Sequence, residues 1–436
     1  MAKTKSKSKN SDFLLGTNLS RVFNPVALII SVGWTIGLFV TFWNESFYKS
    51  VNMLERWSFT KIDTPWTPPP TLPIPLWHGH YFGDFQLPVL YSKVLNPYRP
   101  EWPIDAGLPG PILLLKIFLV FPMNYSLILF FVISLAVLLY GLWSLLQINH
   151  PYVVSLLVVI GILNLPFFIA VDRGNFVIIS LGLLFAVIGK LMRSSKLELS
   201  RFDLAVFGGL FAIAASLKLY YLAFLPFFWL MNHKKFAYTA FLQFLIFNFV
   251  SFFLVVSNLR EAFSSIVQSL LYQTGSNDPM WILGGIGLPS LPSNLLFMWL
   301  PRSEFDQHLL GYRYLFLSLC LLWFLIVVWL FRFTSLDKDY KLIWVLSLAQ
   351  FAAPTAMAYT GLWATGALVL LIKVLCEKKQ LERIDLFQWY LLFIPIVVNL
   401  SPNAWTYWRQ LIPSIWILSI IGQLILLRNI GRLNRV

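Results

Sequence analysis

A chain of 436 residues in which 58% are hydrophobic and only 12% charged lacks the surface of a soluble domain, where about a quarter of residues carry charge. Its net charge of +14 does not point to nucleic acid, because the Lys and Arg residues gather in short loops and at both ends, the pattern of topology control. Cys320 and Cys376 fall in or beside apolar runs, with neither metal-ligand spacing nor a disulfide framework.

Many apolar runs approach the roughly 20 residues that cross a bilayer as helix. The predicted class is an all-α polytopic integral membrane protein. A basic tail (Lys3, Lys5, Lys7, Lys9, Arg21) precedes a first span over 23–44. That run is too long for a signal peptide and lacks its cleavage pattern, so it reads as a retained helix with the tail in the cytosol. A long segment over 45–123 follows. Further apolar runs lie near 124–146, 152–170, 174–191, 202–219, 220–233, 236–256, 308–331, 341–355, 357–375, 385–399 and 404–427.

The stretch 107–121, GLPGPILLLKIFLVF, is apolar but short, with Pro109 and Pro111 at its start. Charge places it. If it stays on the outer face, the basic loops at 190–201, 233–235, 332–341 and 373–383 and the C-terminal tail all fall in the cytosol. If it crosses, all of them turn outward. The first arrangement predicts an interfacial or re-entrant helix, about twelve spans and both ends inside. Pro226 marks 202–233 as a place for a broken helix. The whole chain reads as one transmembrane domain, 1–436, with outer segments at 45–123 and 257–307.

This topology collects the polar residues on one side. Asp84 stands in the outer segment, framed by Gly83 and by Tyr81, Phe82 and Phe85. A carboxylate partly desolvated against aromatics gains proton affinity and suits a general base; a solvated loop acid is the plainer alternative. His80, Tyr98 and Arg99 share the segment. The junction VDRGN (171–175) puts Asp172, Arg173 and Asn175 between two apolar runs with no spacer. Ionisable groups there are either paired and functional or mark a tight, wet turn. Arg173 has the fork geometry for a phosphate. Lys218 ends the run GGLFAIAASLKLYY, either snorkelling toward headgroups or facing an anionic lipid head.

The stretches GDFQLPVLYSKVLNPY (83–98), LPGP (108–111), DRGN (172–175) and AASLKLYY (214–221) occur in this order. With a cytosolic tail, one span and a large outer segment before them, the layout resembles the GT-C membrane glycosyltransferases. It is most similar to the bacterial polyprenyl-phosphate-mannose-dependent mannosyltransferases of glycosyltransferase family 87. The resemblance implies a GT-C-like fold with a long first extracytosolic loop, in a bacterial plasma membrane with the active site facing outward. It implies a polyprenyl-phosphate sugar donor, a lipid or glycan acceptor and contact with membrane lipids. No Asp-x-Asp or paired acids stand beside Asp84, so the residues themselves give no support for a metal, although Glu101 or Asp105 can fold back toward it. No cofactor is expected, and the chain is read as a monomer. Asp84 then corresponds to the general base of an inverting transfer, and Arg173 and Lys218 are candidates for stabilising the leaving phosphate. Asp172, Asn175, His80, Tyr98 and Arg99 complete the candidate substrate contacts. Two departures bear on the sugar and acceptor rather than on the reaction class. Arg173-Gly174 stands where relatives often carry Gly-Gln, and SLAQFAAP (347–354) stands where many carry a histidine-bearing helix.

No nucleotide-binding or HExxH motif occurs, which fits a substrate already activated by attachment to a lipid. A flippase or polymerase of lipid-linked oligosaccharides shares the spans and the prenyl-phosphate site. It calls for polar residues at mid-membrane depth on several helices, whereas here they concentrate toward one face. A structural or assembly protein has no need of an outward acid in an aromatic frame. In 257–307, SNLREAFSSIVQSLLY reads as an amphipathic surface helix and the turn-rich stretch after it as a flap or a connector.

Overall fold

The computed structural model describes residues 108–147, 174–194, 199–256, 258–264, 337–352 and 362–377, with shorter pieces that include 85, 170–171, 266–267, 324–329 and 331–333. The expected first span at 23–44, the runs at 385–399 and 404–427 and most of 257–307 lie outside these residues. Everything regular among the described residues is helix. Two helices there are long and apolar enough to cross a membrane.

The chain divides into two compact units, one of Phe47–Ser144 and Phe167–Leu283, the other of Met1–Ser46, Leu145–Pro166 and Gly284–Val436. The first unit carries most of the described helices. Helix α1 (Pro109–Leu115) starts with prolines in its first turn, where a missing N–H costs nothing. It tightens into a 3-10 turn over Lys116–Val120. The piece Pro109–Val120 is too short to cross a bilayer as helix. Ser126 then ties it to the next helix, its hydroxyl donating to the Phe118 carbonyl at 2.5 Å.

Helix α2 (Met123–Leu146) contains no charged residue and is one of the two of crossing length. Helix α3 (Val177–Arg193) is buried on nearly every side, so it forms the centre of this unit rather than a half-wet surface helix. Glycine lets α2 and α3 touch backbone to backbone. A Cβ on Gly182 would stand 2.6 Å from the Val137 carbonyl oxygen, and one on Gly141 would strike the Gly182 carbonyl. Lipid supplies no hydrophobic drive between helices, so close approach of small residues stands in for it. At the far end Arg193 donates to Ser144 Oγ at 2.8 Å.

Helix α4 (Arg201–Leu217) begins where Ser200 Oγ accepts the Asp203 N–H at 3.0 Å, an N-cap of ordinary kind. Lys190 pairs with Asp203 at 2.7 Å and its ammonium lies over the Phe207 ring at 5.4 Å, which pins the α3–α4 connection. The apolar run expected over 220–233 is not one helix. It is a 3-10 turn, Leu219–Phe224, followed by the six-residue α5 (Leu225–Leu230) with Pro226 in its first turn, because Pro226 has no N–H for a continuing helix. A left-handed Asn232 (φ 66°) then turns the chain, with the His233 N–H on the Phe228 carbonyl.

Helix α6 (Lys234–Val255) is the other of crossing length. It packs on α4 and α1. Its opposite face exposes Tyr238, Phe241, Leu242, Leu245, Ile246, Phe249, Val250, Phe253 and Leu254, a surface that belongs against lipid tails rather than water. Beyond it Asn258 caps a helical piece, accepting the Glu261 N–H. Ala262 of that piece packs with Val255 and with Ile112 of α1.

In the second unit α7 (Lys338–Ala352) packs on α8 (Leu362–Glu377). Lys373 and Asp339 bridge the two at 2.8 Å, both largely buried.

Candidate functional site

Four of the quoted stretches are drawn together inside the first unit, each through a residue that packs or bonds. Phe85 follows Asp84 in the sequence and is fully buried. Its ring lies 5.1 Å from Phe118, 4.6 Å from Phe130 and 6.0 Å from Phe176. Phe118 belongs to the 3-10 turn after α1 and Phe176 follows Asn175, so one aromatic cluster joins GDF, the LPGP helix and DRGN. The Phe85–Phe118 pair is edge-to-face, an arrangement that contributes about 0.5–1.5 kcal/mol beyond its buried area.

The junction itself is a helix end set back to back with a helix start. Gly174 has φ 67°, a left-handed conformation that glycine adopts without strain. Its N–H meets the Val171 carbonyl at 2.8 Å and the Asn175 N–H meets the Ala170 carbonyl at 2.8 Å, the bond pair of a Schellman stop. Asn175 then turns its side chain to the next helix, Oδ1 accepting the Val177 N–H at 2.9 Å. The residue is 3% exposed. Gly and Asn thus close one helix and open another without a spacer, which explains the missing loop between the two apolar runs.

From the first turns of α3 the contacts run to AASLKLYY. The Ser180 hydroxyl lies 3.2 Å from that of Tyr221, which is wholly buried. The Tyr221 N–H in turn bonds the Lys218 carbonyl at 3.0 Å. Lys218 terminates α4 in an extended conformation, φ −141° and ψ 95°, while its N–H closes the last helical bond to Ala214. It is half-buried. The turn of helix before it is held by Asn248 of α6, whose Nδ2 donates to Ser216 Oγ at 2.7 Å and to the Phe244 carbonyl at 2.9 Å. The Asn248 Oδ1 accepts the Gly110 N–H at 3.2 Å. That closes the circuit back to LPGP.

Of the candidate residues, Asn175 and Lys218 are therefore placed, one as a helix cap and the other at a helix end. Asp84, His80, Tyr98, Arg99, Asp172 and Arg173 lie outside the described residues. No group of three or more His, Cys, Asp or Glu arranged to hold a metal occurs among the described residues. Asn248 and the Phe85 cluster escaped the sequence reading. The signal for Asn248 was present: an amide inside the run FLQFLIFNFVSFF has to find a hydrogen-bond partner in lipid.

Comparison with known proteins adds one finding. The model of the family described as Glycosyltransferase family 87 matches residues 109–354, a span that holds LPGP, DRGN and AASLKLYY and begins after Asp84. No curated protein matches, and no solved structure matches.

Proposed function

The chain belongs to glycosyltransferase family 87, and from that premise we propose that it transfers a sugar from a polyprenyl-phosphate donor to a lipid or glycan acceptor at the extracytosolic face of a bacterial plasma membrane. Family membership makes it a glycosyltransferase. The single strongest support for the proposed transfer is the convergence of GDF, LPGP, DRGN and AASLKLYY on one set of packed and bonded anchors.

In this reading Asp84 is the general base. It takes the proton of an acceptor hydroxyl while that oxygen attacks the anomeric carbon. The bond from that carbon to the donor phosphate oxygen breaks on the opposite face, so the anomeric centre inverts and polyprenyl phosphate departs with the electron pair. Arg173 and Lys218 stabilise the charge that grows on the leaving phosphate, an effect that is strong where water is excluded. Asn175 keeps the junction in shape through its cap to Val177. Asp172, His80, Tyr98 and Arg99 contact the substrates. About twelve spans with both ends cytosolic carry this site.

The test uses purified protein in nanodiscs with a panel of polyprenyl-phosphate sugars and total membrane lipid as acceptor. Wild type is expected to release polyprenyl phosphate. Asp84→Asn is expected to bind donor and lose release by about 10²–10⁴-fold, the usual contribution of a general base. Equal release from both proteins removes Asp84 from the mechanism. Donor binding without release by wild type, for every sugar offered, supports translocation of the lipid-linked sugar instead.

A further inference from the structure

Asn248 lies in a helix of crossing length, among Phe, Leu and Ile. A polar side chain placed there is costly unless its bonds are made, and such residues tend to serve function. Its bonds reach three elements: Gly110 of α1, Ser216 in the last turn of α4 and Phe244 of its own helix. The orientation of the amide follows from the partners. The Gly110 N–H is a donor and needs the oxygen, while the Phe244 carbonyl needs the NH2.

Gly110 is tight on the same seam, since a Cβ there would strike the Phe247 ring and stand 3.0 Å from Asn248 Oδ1. The Ser216 hydroxyl passes the chain on to the Ala212 carbonyl at 2.7 Å. Two residues later α4 stops at Lys218. One amide therefore sets the register of the final turn of α4 against α1 and α6.

We propose that Asn248 is a positioning residue for the transfer reaction: it fixes where α4 ends against α1, and so where Lys218 meets the donor phosphate. This rests on the reading of Lys218 as a phosphate contact. Gln243 provides the comparison. It sits on the same helix and also bonds α4, donating to the Ala205 carbonyl at 3.2 Å, but Ala205 lies in the first half of α4, about three and a half helical turns before Lys218.

The experiment reads donor kinetics and geometry in parallel. Asn248→Leu removes all three bonds. Asn248→Asp keeps the shape and the Gly110 bond but loses both donors, and serves where the Leu variant fails to fold. Each is expected to lower kcat about 10²-fold, the scale of a misplaced catalytic group, with the donor KM nearly unchanged, as for an interaction made in the transition state. In a Lys218→Ala background the same substitutions should cost little more, because the residue they position is gone. Gln243→Leu should lower thermal stability and leave kcat unchanged. Full additivity with Lys218→Ala, or Asn248 variants that behave like Gln243→Leu, overturns the proposal.

A second readout is independent of turnover. Spin labels at Ile117 and Leu219, both exposed, in a Cys320→Ser, Cys376→Ser protein report the distance from the end of α1 to the end of α4. Asn248→Asp should broaden that distribution, and an unchanged distribution overturns the proposal. A wild type inactive on every polyprenyl-phosphate donor, with the distribution still broadened by the variant, removes the reading of that donor class and of Lys218 as its phosphate contact. The positional part of the inference then stands, and its catalytic part falls with that reading.

Discussion

At the scale of single residues the junction 174–175 separates two demands that adjacent positions make. Gly174 is needed for its backbone: at φ 67° any side chain adds about 1–2 kcal/mol of strain. Asn175 is needed for its side chain, which satisfies the Val177 N–H in a buried place. Gly174→Ala and Asn175→Ala should each destabilise the protein, the second by about 1 kcal/mol as for other lost caps. Thermal unfolding in detergent checks both. Asn175→Asp should recover most of the loss, since a carboxylate oxygen accepts the same N–H. If the alanine variants unfold as wild type does, the junction is not built on these bonds.

Helices make different use of glycine, and the two glycines of α4 and Gly182 of α3 show why. A Cβ on Gly182 meets backbone at 2.6–2.8 Å, which no rotamer change relieves. Gly182→Ala should force α2 away and cost about 1–3 kcal/mol, the range for overpacked interiors. Gly209 has nothing within 4 Å of its Cβ position. Gly209→Ala should therefore be neutral or stabilise α4 by up to about 1 kcal/mol through helix propensity alone. Gly208 is intermediate, since a Cβ there meets the Gln243 side-chain oxygen. Unfolding midpoints that do not separate Gly182→Ala from Gly209→Ala would refute this account of the packing.

The same elements show what the sequence reading reached. Apolar runs expected at 124–146, 202–219 and 236–256 appear as Met123–Leu146, Arg201–Leu217 and Lys234–Val255, because run length and local composition govern where a helix lies. The break at 220–233 was legible as a possibility from Pro226 and took the form of a 3-10 turn plus a short helix. The anchors were not legible. Phe85 meets Phe118, Phe130 and Phe176, and Gly110 meets Asn248 across 138 positions. Pairings between elements that distant leave no local periodicity to read. The order of the four stretches could be seen in the chain, whereas the residues that hold them together emerge only from packing.

For the whole molecule, orientation in the bilayer follows from where charge is held and where lipid-facing surface runs. The connection between α3 and α4 concentrates Lys190, Arg193, Lys196 and Arg201, and Lys190 is fixed there by Asp203. Such clusters remain in the cytosol. The far end of α6 leads instead to the Asn258-capped piece, with little positive charge nearby. Two exposed phenylalanines, Phe202 and Phe263, serve to test this orientation. In protein lacking Cys320 and Cys376, Phe263→Cys should react with a membrane-impermeant maleimide on intact spheroplasts. Phe202→Cys should react only after the membrane is opened. The reverse pattern would place Lys218 and the DRGN junction on the cytosolic side, where a lipid-linked donor displayed outside is out of reach. Labelling of both positions from outside would mean that the chain between them crosses an even number of times, so that α4, the 219–233 stretch and α6 are not three successive spans and the expected topology falls.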